Sequence, residues 1–269
     1  VSRSITCYEL GSKKKSVEIM RAFAAGCCGK VASVTEPRLL DGDAAFYGVR
    51  PAWLALWEQA KAEKRGWFYI DNGYFDSTRE RYFRVTRNAL QCDAMNAVWN
   101  DEGPKRFKAL GLTIQPWRKG GDHVLVCPQS AEFTKICAGY EGDWEADAAA
   151  ALRKFTDREI RVRRKGSTIP LQKDLVGAHA LVTSMSCAAV EALLAGIPVF
   201  CTHRCAAQWY GLSDLTMIET PDTSASMDSR QLFMELLAAN QWSVSEMRDG
   251  ACWRAFEEQR LRGIGHYGR

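Results

Sequence analysis

The sequence predicts an α/β protein of two lobes, and three observations carry that expectation. Apolar runs of strand length alternate with segments of helical spacing along most of the chain. Glycines close two of the helical segments, at Gly26 and Gly196. The alternation breaks once, across LTIQPWRKGGDH, a stretch holding Pro116, Gly120 and Gly121. That break, near 112–121, sets two lobes, residues 1–117 and 118–269, with a cleft between them and the C-terminal helices packing back. Strand–helix alternation of this kind implies parallel sheets covered by helices on both faces.

Each element follows from local pattern. SITCYEL reads as a strand, and KKKSVEIMRAFAAG as a helix ending at Gly26. KVASVTE and AAFYGV read as further strands. Pro51 opens the helix PAWLALWEQAKAEK, in the first-turn position that tolerates a missing N–H. GWFYID is a strand that stops at Asp71-Asn72-Gly73, and YFRVTRNAL is the next. In the second lobe HVLVCP is a short buried strand, QSAEFTKICAG begins a turn or helix, and EADAAAALRKF is helical. EIRVRRK is a strand with a basic end, KDLVGA a short helix and HALVT a strand. SMSCAAVEALLAG is a helix, IPVFC and LTMIE are strands, and SRQLFMELLAANQ and SVSEMRDGACWRAFEEQR are terminal helices.

Composition narrows the class. Of 269 residues, 46% are hydrophobic and 25% charged, which excludes a disordered or fibrous chain. No apolar run reaches the ~18 residues of a membrane span, and no basic segment followed by an apolar run marks a signal peptide. The ten cysteines form no C-x-x-C pair, so buried thiols in a reducing cytoplasm are expected rather than disulfides or a metal site. Cys201, His203 and Cys205 alternate in a way that suits a strand end better than a zinc knuckle. The net charge of +4 divides unevenly. Residues 1–117 hold 18 Lys/Arg and 13 Asp/Glu, giving +5; residues 118–269 hold 18 and 19, giving −1. The imbalance favours an anionic partner for the first lobe, although a charge run is also an ordinary solvated face.

In open parallel sheets ligands sit at the C-terminal ends of strands. Polar residues at those ends are Asp71-Asn72, Gln129-Ser130, Arg163-Arg164-Lys165, Thr183-Ser184 and His203-Arg204. Ser184 or Ser186 can cap the helix that follows, and free N–H groups there suit a phosphate. Arg163 and Lys165 can neutralise a diphosphate; equally, charges guard an edge strand. Gln129 and Ser130 offer a second turn, and Arg118 in the linker can reach the cleft. Glu191 lies in an otherwise apolar helix, where facing solvent is the simpler reading. Asp71 at a strand end fits a general base, while Asp-Asn-Gly is also a turn sequence; Asp76 is its rival.

Strand, Ser-rich turn, small-residue helix with Glu, then Gly-Ile-Pro-Val (TSMSCAAVEALLAGIPV) resembles the donor-binding motif of GT-B-fold glycosyltransferases and of sugar-nucleotide 2-epimerases. The match is strong over about twenty residues and loose over 118–220. The resemblance implies two Rossmann-like lobes and a nucleoside diphosphate sugar as donor. Ser184 and Ser186 take the phosphate role and Glu191 the ribose role. With them the donor set comprises Arg163, Lys165, Gln129, Ser130 and Arg118, and no metal is expected because cations and helix ends supply the charge.

YIDNGYF, YFRVTRNA, QPWRKGG, VLVCPQS, VRRK and ANQWSVSEMRDGACW together resemble small phage-associated GT-B-like proteins that modify viral DNA bases. That resemblance implies a hydroxymethylated pyrimidine in double-stranded DNA as acceptor, and the host cytoplasm as location. The base would be flipped out, with Asp71 as catalytic base and Asn72, Tyr74, Arg79, Arg81, Arg84 and Arg87 as acceptor-binding residues. Two alternatives are a sugar-nucleotide epimerase, for which His179 and His203 are candidates, and a non-catalytic nucleotide- or DNA-binding module of the same fold.

Overall fold

The computed structural model describes residues 4–75, 82–92 and 96–262. The chain divides into two units, one of Val1–Leu110 with Glu235–Arg269 and one of Gly111–Met234. The observed boundary at 110/111 lies at the end of the helix Glu102–Ala109, seven residues before the expected division at 117/118.

In the first unit β1 (Ile5–Glu9), β2 (Lys30–Ser33), β3 (Asp43–Tyr47), β4 (Trp67–Asn72), β5 (Phe83–Arg87) and the two-residue β10 (Gln241–Trp242) form one sheet, ordered β10-β5-β4-β3-β1-β2. β1 to β4 are parallel, as expected. β5 runs antiparallel to β4, and β10 antiparallel to β5, so the all-parallel expectation fails at this side. The cause is chain length: ten residues join β4 to β5, and a parallel return needs a crossover of about a dozen or more.

Strand alternation explains the two covered faces. Cys7, Ala45, Phe68 and Ile70 point to one side, where α1 (Lys14–Cys27) supplies Ile19, Met20 and Phe23. α9 (Val244–Arg248) and α10 (Ala251–Leu261) add Met247, Cys252 and Phe256 to the same core, so the C-terminal helices belong to the first unit. Their neighbours in sequence, Tyr8, Phe46 and Tyr69, face the other side. There Trp53 stacks on Phe46 at 4.8 Å, and Trp57 of α2 (Leu54–Ala62) meets Trp53 edge-on. Such ring pairs add about 0.5–1.5 kcal/mol each beyond the area they bury. The segment SVSEMRDGACWRAFEEQR is two helices, not one: a capping box of Ser243 and Glu246 starts α9, and Gly250, at φ +83°, breaks the run before α10. α3 (Glu102–Ala109) sets Arg106 inside this unit, where it donates to Ala238 O at 3.1 Å and pairs with Glu246.

The second unit holds β6 (His123–Cys127), β7 (Glu159–Val162), β8 (Ala178–Thr183) and β9 (Val199–Cys201), all parallel, ordered β7-β6-β8-β9. Val124, Val126, Ala180, Val182 and Phe200 pack with Trp144 and Leu152 of α5 (Trp144–Leu152) and with Ile218. LTMIE is not a strand: Asp214 accepts from the Thr216 amide at 3.0 Å and its hydroxyl at 2.7 Å, which curls Leu215–Met217 into a 3-10 turn. α4 (Ala131–Ala138), α6 (Leu171–Asp174), α7 (Ala188–Leu194) and α8 (Met227–Ala239) complete the chain. Cys7, Cys92, Cys127, Cys201, Cys205 and Cys252 are buried, as hydrophobic cysteines commonly are. No described helix is long and apolar enough to cross a membrane.

Candidate functional site

The four strands of the second sheet end level with one another. Cys127 lies beside Thr183, Thr183 beside Cys201, and Val126 beside Val162. Their outgoing loops therefore line one edge, about 15 Å long at ~4.8 Å per strand. Gln129, Ser130, Arg163, Lys165, Ser184, Ser186 and His203 all lie on these loops.

Hydrogen bonds fix the loop after β8. Thr183 Oγ1 donates to Cys127 O at 2.6 Å and accepts from the Ser186 amide at 3.1 Å. Ser186 Oγ accepts from the Ala188 amide at 3.2 Å, at the start of α7, and stays half-buried. The Ser184 carbonyl accepts from the His203 amide at 3.0 Å, tying this loop to the one after β9. Ser184 Oγ is fully buried and has no hydrogen-bond partner among the described residues. Ser130 uses its hydroxyl to cap α4, accepting from the Phe133 amide at 3.3 Å.

Two opposite charges meet at this edge. The Arg163 amide donates to Val126 O, which holds the residue at the end of β6, and its guanidinium pairs with Asp174 of α6. Glu191 of α7 accepts from Gln172 Nε2 at 2.8 Å. Burial pushes the Glu191 carboxyl above its ordinary value, while the Arg163 charge and the Gln172 amide pull it back. The Cys127 thiol, at the same edge, is raised to about 12, first by burial and further by Asp174 and Glu191, with Arg163 opposing. α6 carries both Gln172 and Asp174, so the ion pair with Arg163 and the bond to Glu191 converge on one short helix. Lys165 is exposed, and Arg164 turns to Glu145, 2.9 Å away.

Sequence reading missed Asp174 and Gln172. An acid and an amide in a four-residue helix carry no signal that they will hold Arg163 and Glu191. It noted His203 at a strand end and named it only for the epimerase alternative. The structure puts its Nδ1 3.0 Å from Thr202 Oγ1 and its ring edge-on to Tyr140, with its basicity lowered by desolvation.

Other expectations are corrected. Arg118 donates to Leu175 O and Ala178 O, at 2.5 and 3.1 Å, beside the start of β8 and so at the opposite edge of the sheet. It cannot serve a ligand at the strand ends. His179 is likewise at the start of β8, its Nε2 2.7 Å from Ile218 O.

In the first unit Asp71 ends β4. Its Oδ2 accepts from Tyr69 Oη and from Arg84 Nη2, each at 2.8 Å, and its Oδ1 from the Asn72 amide. Arg84 is 4% exposed and also donates to Asn72 O, and Arg87 pairs with Asp43 at 2.9 Å. Neither presents a cation to an acceptor. Tyr74 is 1% exposed and its hydroxyl accepts from the Cys92 amide, so it is core. The alternating Tyr/Phe/Arg pattern here is that of a strand whose arginines find buried carboxylates. Asn72 is half-buried and accepts from Lys15 Nζ at 3.1 Å. Asp76, Arg79 and Arg81 lie outside the described residues. Among the described residues no three His, Cys, Asp or Glu side chains gather as a metal site.

No protein-family model and no curated protein matches the chain. Solved structures do. The chain is similar to the β-Kdo 2,7 transferase of Thermosulfurimonas dismutans KpsC, with TM-score 0.53, 14% identity, and 96% of this chain and 99% of that one covered. It is also similar to the β-Kdo 2,4 transferase of KpsC from that organism, with TM-score 0.52, 12% identity, and 89% and 90% covered. The fold is GT-B-like, with two Rossmann-like lobes. At such identity the likeness is one of fold, and residue roles rest on the local geometry.

Proposed function

We propose that this chain is a glycosyltransferase that moves a sugar from a nucleoside diphosphate sugar to a hydroxyl. The observation that carries the reading is at one strand-end edge of a GT-B-like fold: Arg163 pairs with Asp174 and Glu191 bonds Gln172, both partners on α6, and the Ser186-bearing loop leads into the helix of Glu191. The solved neighbours, named as Kdo transferases, support its coarser part, the transfer of a sugar. Arg163 and Lys165 balance the charge that builds on the departing diphosphate, so the reading calls for no metal. The loop at Ser184 to Ser186, with Gln129 and Ser130, borders the phosphates. Glu191 accepts from the donor ribose once Gln172 releases it. Asp71 takes the acceptor proton as the glycosidic C–O bond forms, and the sugar–phosphate bond breaks with its electrons leaving on the diphosphate.

The acceptor that the sequence resemblance implies, a hydroxymethylated pyrimidine in duplex DNA, is supported by the +5 charge of residues 1–117. Arg84 and Arg87 lend it nothing, since both face buried acids. An epimerase keeps one of its two histidines, His203 on a strand-end loop, while His179 is committed to the Ile218 carbonyl at the start of β8.

The test is a panel of nucleotide-sugars incubated with the full chain, with and without hydroxymethylated DNA or small hydroxyl acceptors, following nucleotide release. Acceptor-dependent release that Arg163→Gln and Glu191→Ala both weaken is expected. Release with no acceptor, accompanied by sugar inversion, means epimerisation. Tight nucleotide or DNA binding with no release leaves a binding module.

A further inference from the structure

His203 follows β9 on a strand-end loop of the second sheet, and the transfer described above leaves it unused. Its backbone amide donates to Ser184 O at 3.0 Å, and the Thr202 amide donates to Thr183 O at 3.1 Å. The loop is thus stitched to the one that carries Ser184 and Ser186. The imidazole is half-buried and stands edge-on to Tyr140, with ring centres 6.0 Å apart.

A chain of hydrogen bonds running out from the core fixes which ring nitrogen carries the proton. Trp144 of α5 is buried, and its Nε1 lies 2.8 Å from Thr202 Oγ1. An indole only donates, so Thr202 Oγ1 is the acceptor of that bond. The same oxygen lies 3.0 Å from His203 Nδ1. A hydroxyl has one proton to give, and among the described residues Nδ1 is the only acceptor within reach of it. Thr202 therefore donates to Nδ1, and the proton of the neutral ring sits on Nε2. A second proton, on Nδ1, would face the Thr202 hydroxyl proton and leave that hydroxyl to find another acceptor. Desolvation lowers the basicity of the ring in the same sense, so His203 is neutral at pH 7. With Nδ1 turned to Thr202, Nε2 points away from Thr202 and the α5 core. Among the described residues it has no hydrogen-bond partner. A histidine that only meets water needs no fixed tautomer; one that must present an N–H to a ligand does.

We propose that His203 is a donor-site residue whose Nε2–H gives a neutral hydrogen bond to a phosphate oxygen of the nucleotide-sugar, with Thr202 and Trp144 as positioning residues that hold its tautomer. The bond to Ser184 O sets His203 beside the loop that borders the phosphates. It serves the β9 side of that loop, three strand spacings or about 15 Å from the β7 end that carries Arg163 and Lys165. A neutral N–H there binds an oxyanion without burying a second cation. That the oxygen belongs to a donor phosphate rests on the transferase reading; the tautomer does not.

The experiment uses the full chain with isotope-labelled histidine. Long-range proton–nitrogen spectra at pH 7, with His203 assigned by its loss in His203→Gln, are expected to show Nε2 protonated and Nδ1 bare. Thr202→Ser keeps that signature and Thr202→Val loses it, with the fold of each checked by thermal unfolding. Binding is then measured with the mono- and diphosphates of the common nucleosides, each beside its parent nucleoside. His203→Ala weakens the nucleotide about tenfold or more and leaves the nucleoside as in the wild type. His203→Gln, which keeps an N–H, recovers most of the loss. An Nδ1-protonated or charged ring at pH 7 overturns the proposal, and so does a wild type that binds no nucleotide. Nucleotide binding that Arg163→Gln weakens and His203→Ala does not sinks the proposal and keeps the transferase reading. His203-dependent nucleotide binding without any sugar transfer sinks the transferase reading and keeps the contact.

Discussion

Asp71→Asn separates a structural from a chemical role at the end of β4. The Arg84 side chain facing Asp71 is 5% exposed, the Asp71 side chain 23%. Removing one partner of a buried ion pair costs about 3–5 kcal/mol when the other charge is stranded. Asparagine keeps an oxygen for Arg84 or Tyr69, and Asp71 is partly screened by water, so the expected loss is smaller, about 2 kcal/mol. At roughly 2–4 °C per kcal/mol for a chain of this size, the midpoint falls by about 4–8 °C. A lost general base lowers turnover by about 10²–10⁴-fold. The two effects part in the double variant Asp71→Asn/Arg84→Gln. With neither charge left, most of the stability returns, because a stranded charge costs more than an absent pair. Turnover does not return if Asp71 takes the acceptor proton. The assay is urea unfolding followed by tryptophan fluorescence, beside nucleotide release at saturating donor. Stability of the single variant within about 0.5 kcal/mol of wild type refutes the ion-pair argument. Recovery of turnover in the double variant refutes Asp71 as the base.

Three further outcomes follow from single positions. Gly196 has φ +73°, and a Cβ there would collide with the Pro116 carbonyl oxygen; Gly196→Ala is expected to cost more than the ~1–2 kcal/mol of a left-handed residue alone, read from the urea midpoint. Ser184 Oγ is buried without a hydrogen-bond partner among the described residues, so Ser184→Ala raises stability by about 1 kcal/mol, and a loss of stability would show an unseen bond. Glu191 has a raised carboxyl pKa in the folded chain. The folded state then holds the proton more tightly than the unfolded one, and stability falls as pH rises from the ordinary value near 4.5 through the raised folded value. Glu191→Gln removes that slope, and a slope that persists in calorimetry assigns it elsewhere.

The parallel strands and their order of appearance were legible because each is an apolar run bounded by turn residues. HVLVC and AHALVT are buried along their whole length, and nothing competes with that pattern. LTMIE was illegible for a specific reason. Asp214 acts on the backbone two residues on, and a side-chain cap outweighs the strand propensity of three apolar residues. The reversed β5 could be read from loop length alone, since ten residues are too few for a crossover. The break at Gly250 could not, because glycine inside a helical run is tolerated as often as it terminates one.

The residues proposed for the donor side were chosen from strand ends and motif, and two of them lie at one edge because the strand ends themselves fix it. Arg163 is pinned by its own amide to β6, and Ser186 by Thr183 of β8, so register alone brings both to one edge. Arg118 failed because it lies before β6, at the edge where the strands begin, and its long side chain was free to find carbonyls there. The arginines of β5 failed differently. A charged residue in an alternating strand reads as solvent-facing until its partner is known, and Asp43 and Asp71 sit on strands whose pairing the sequence does not print.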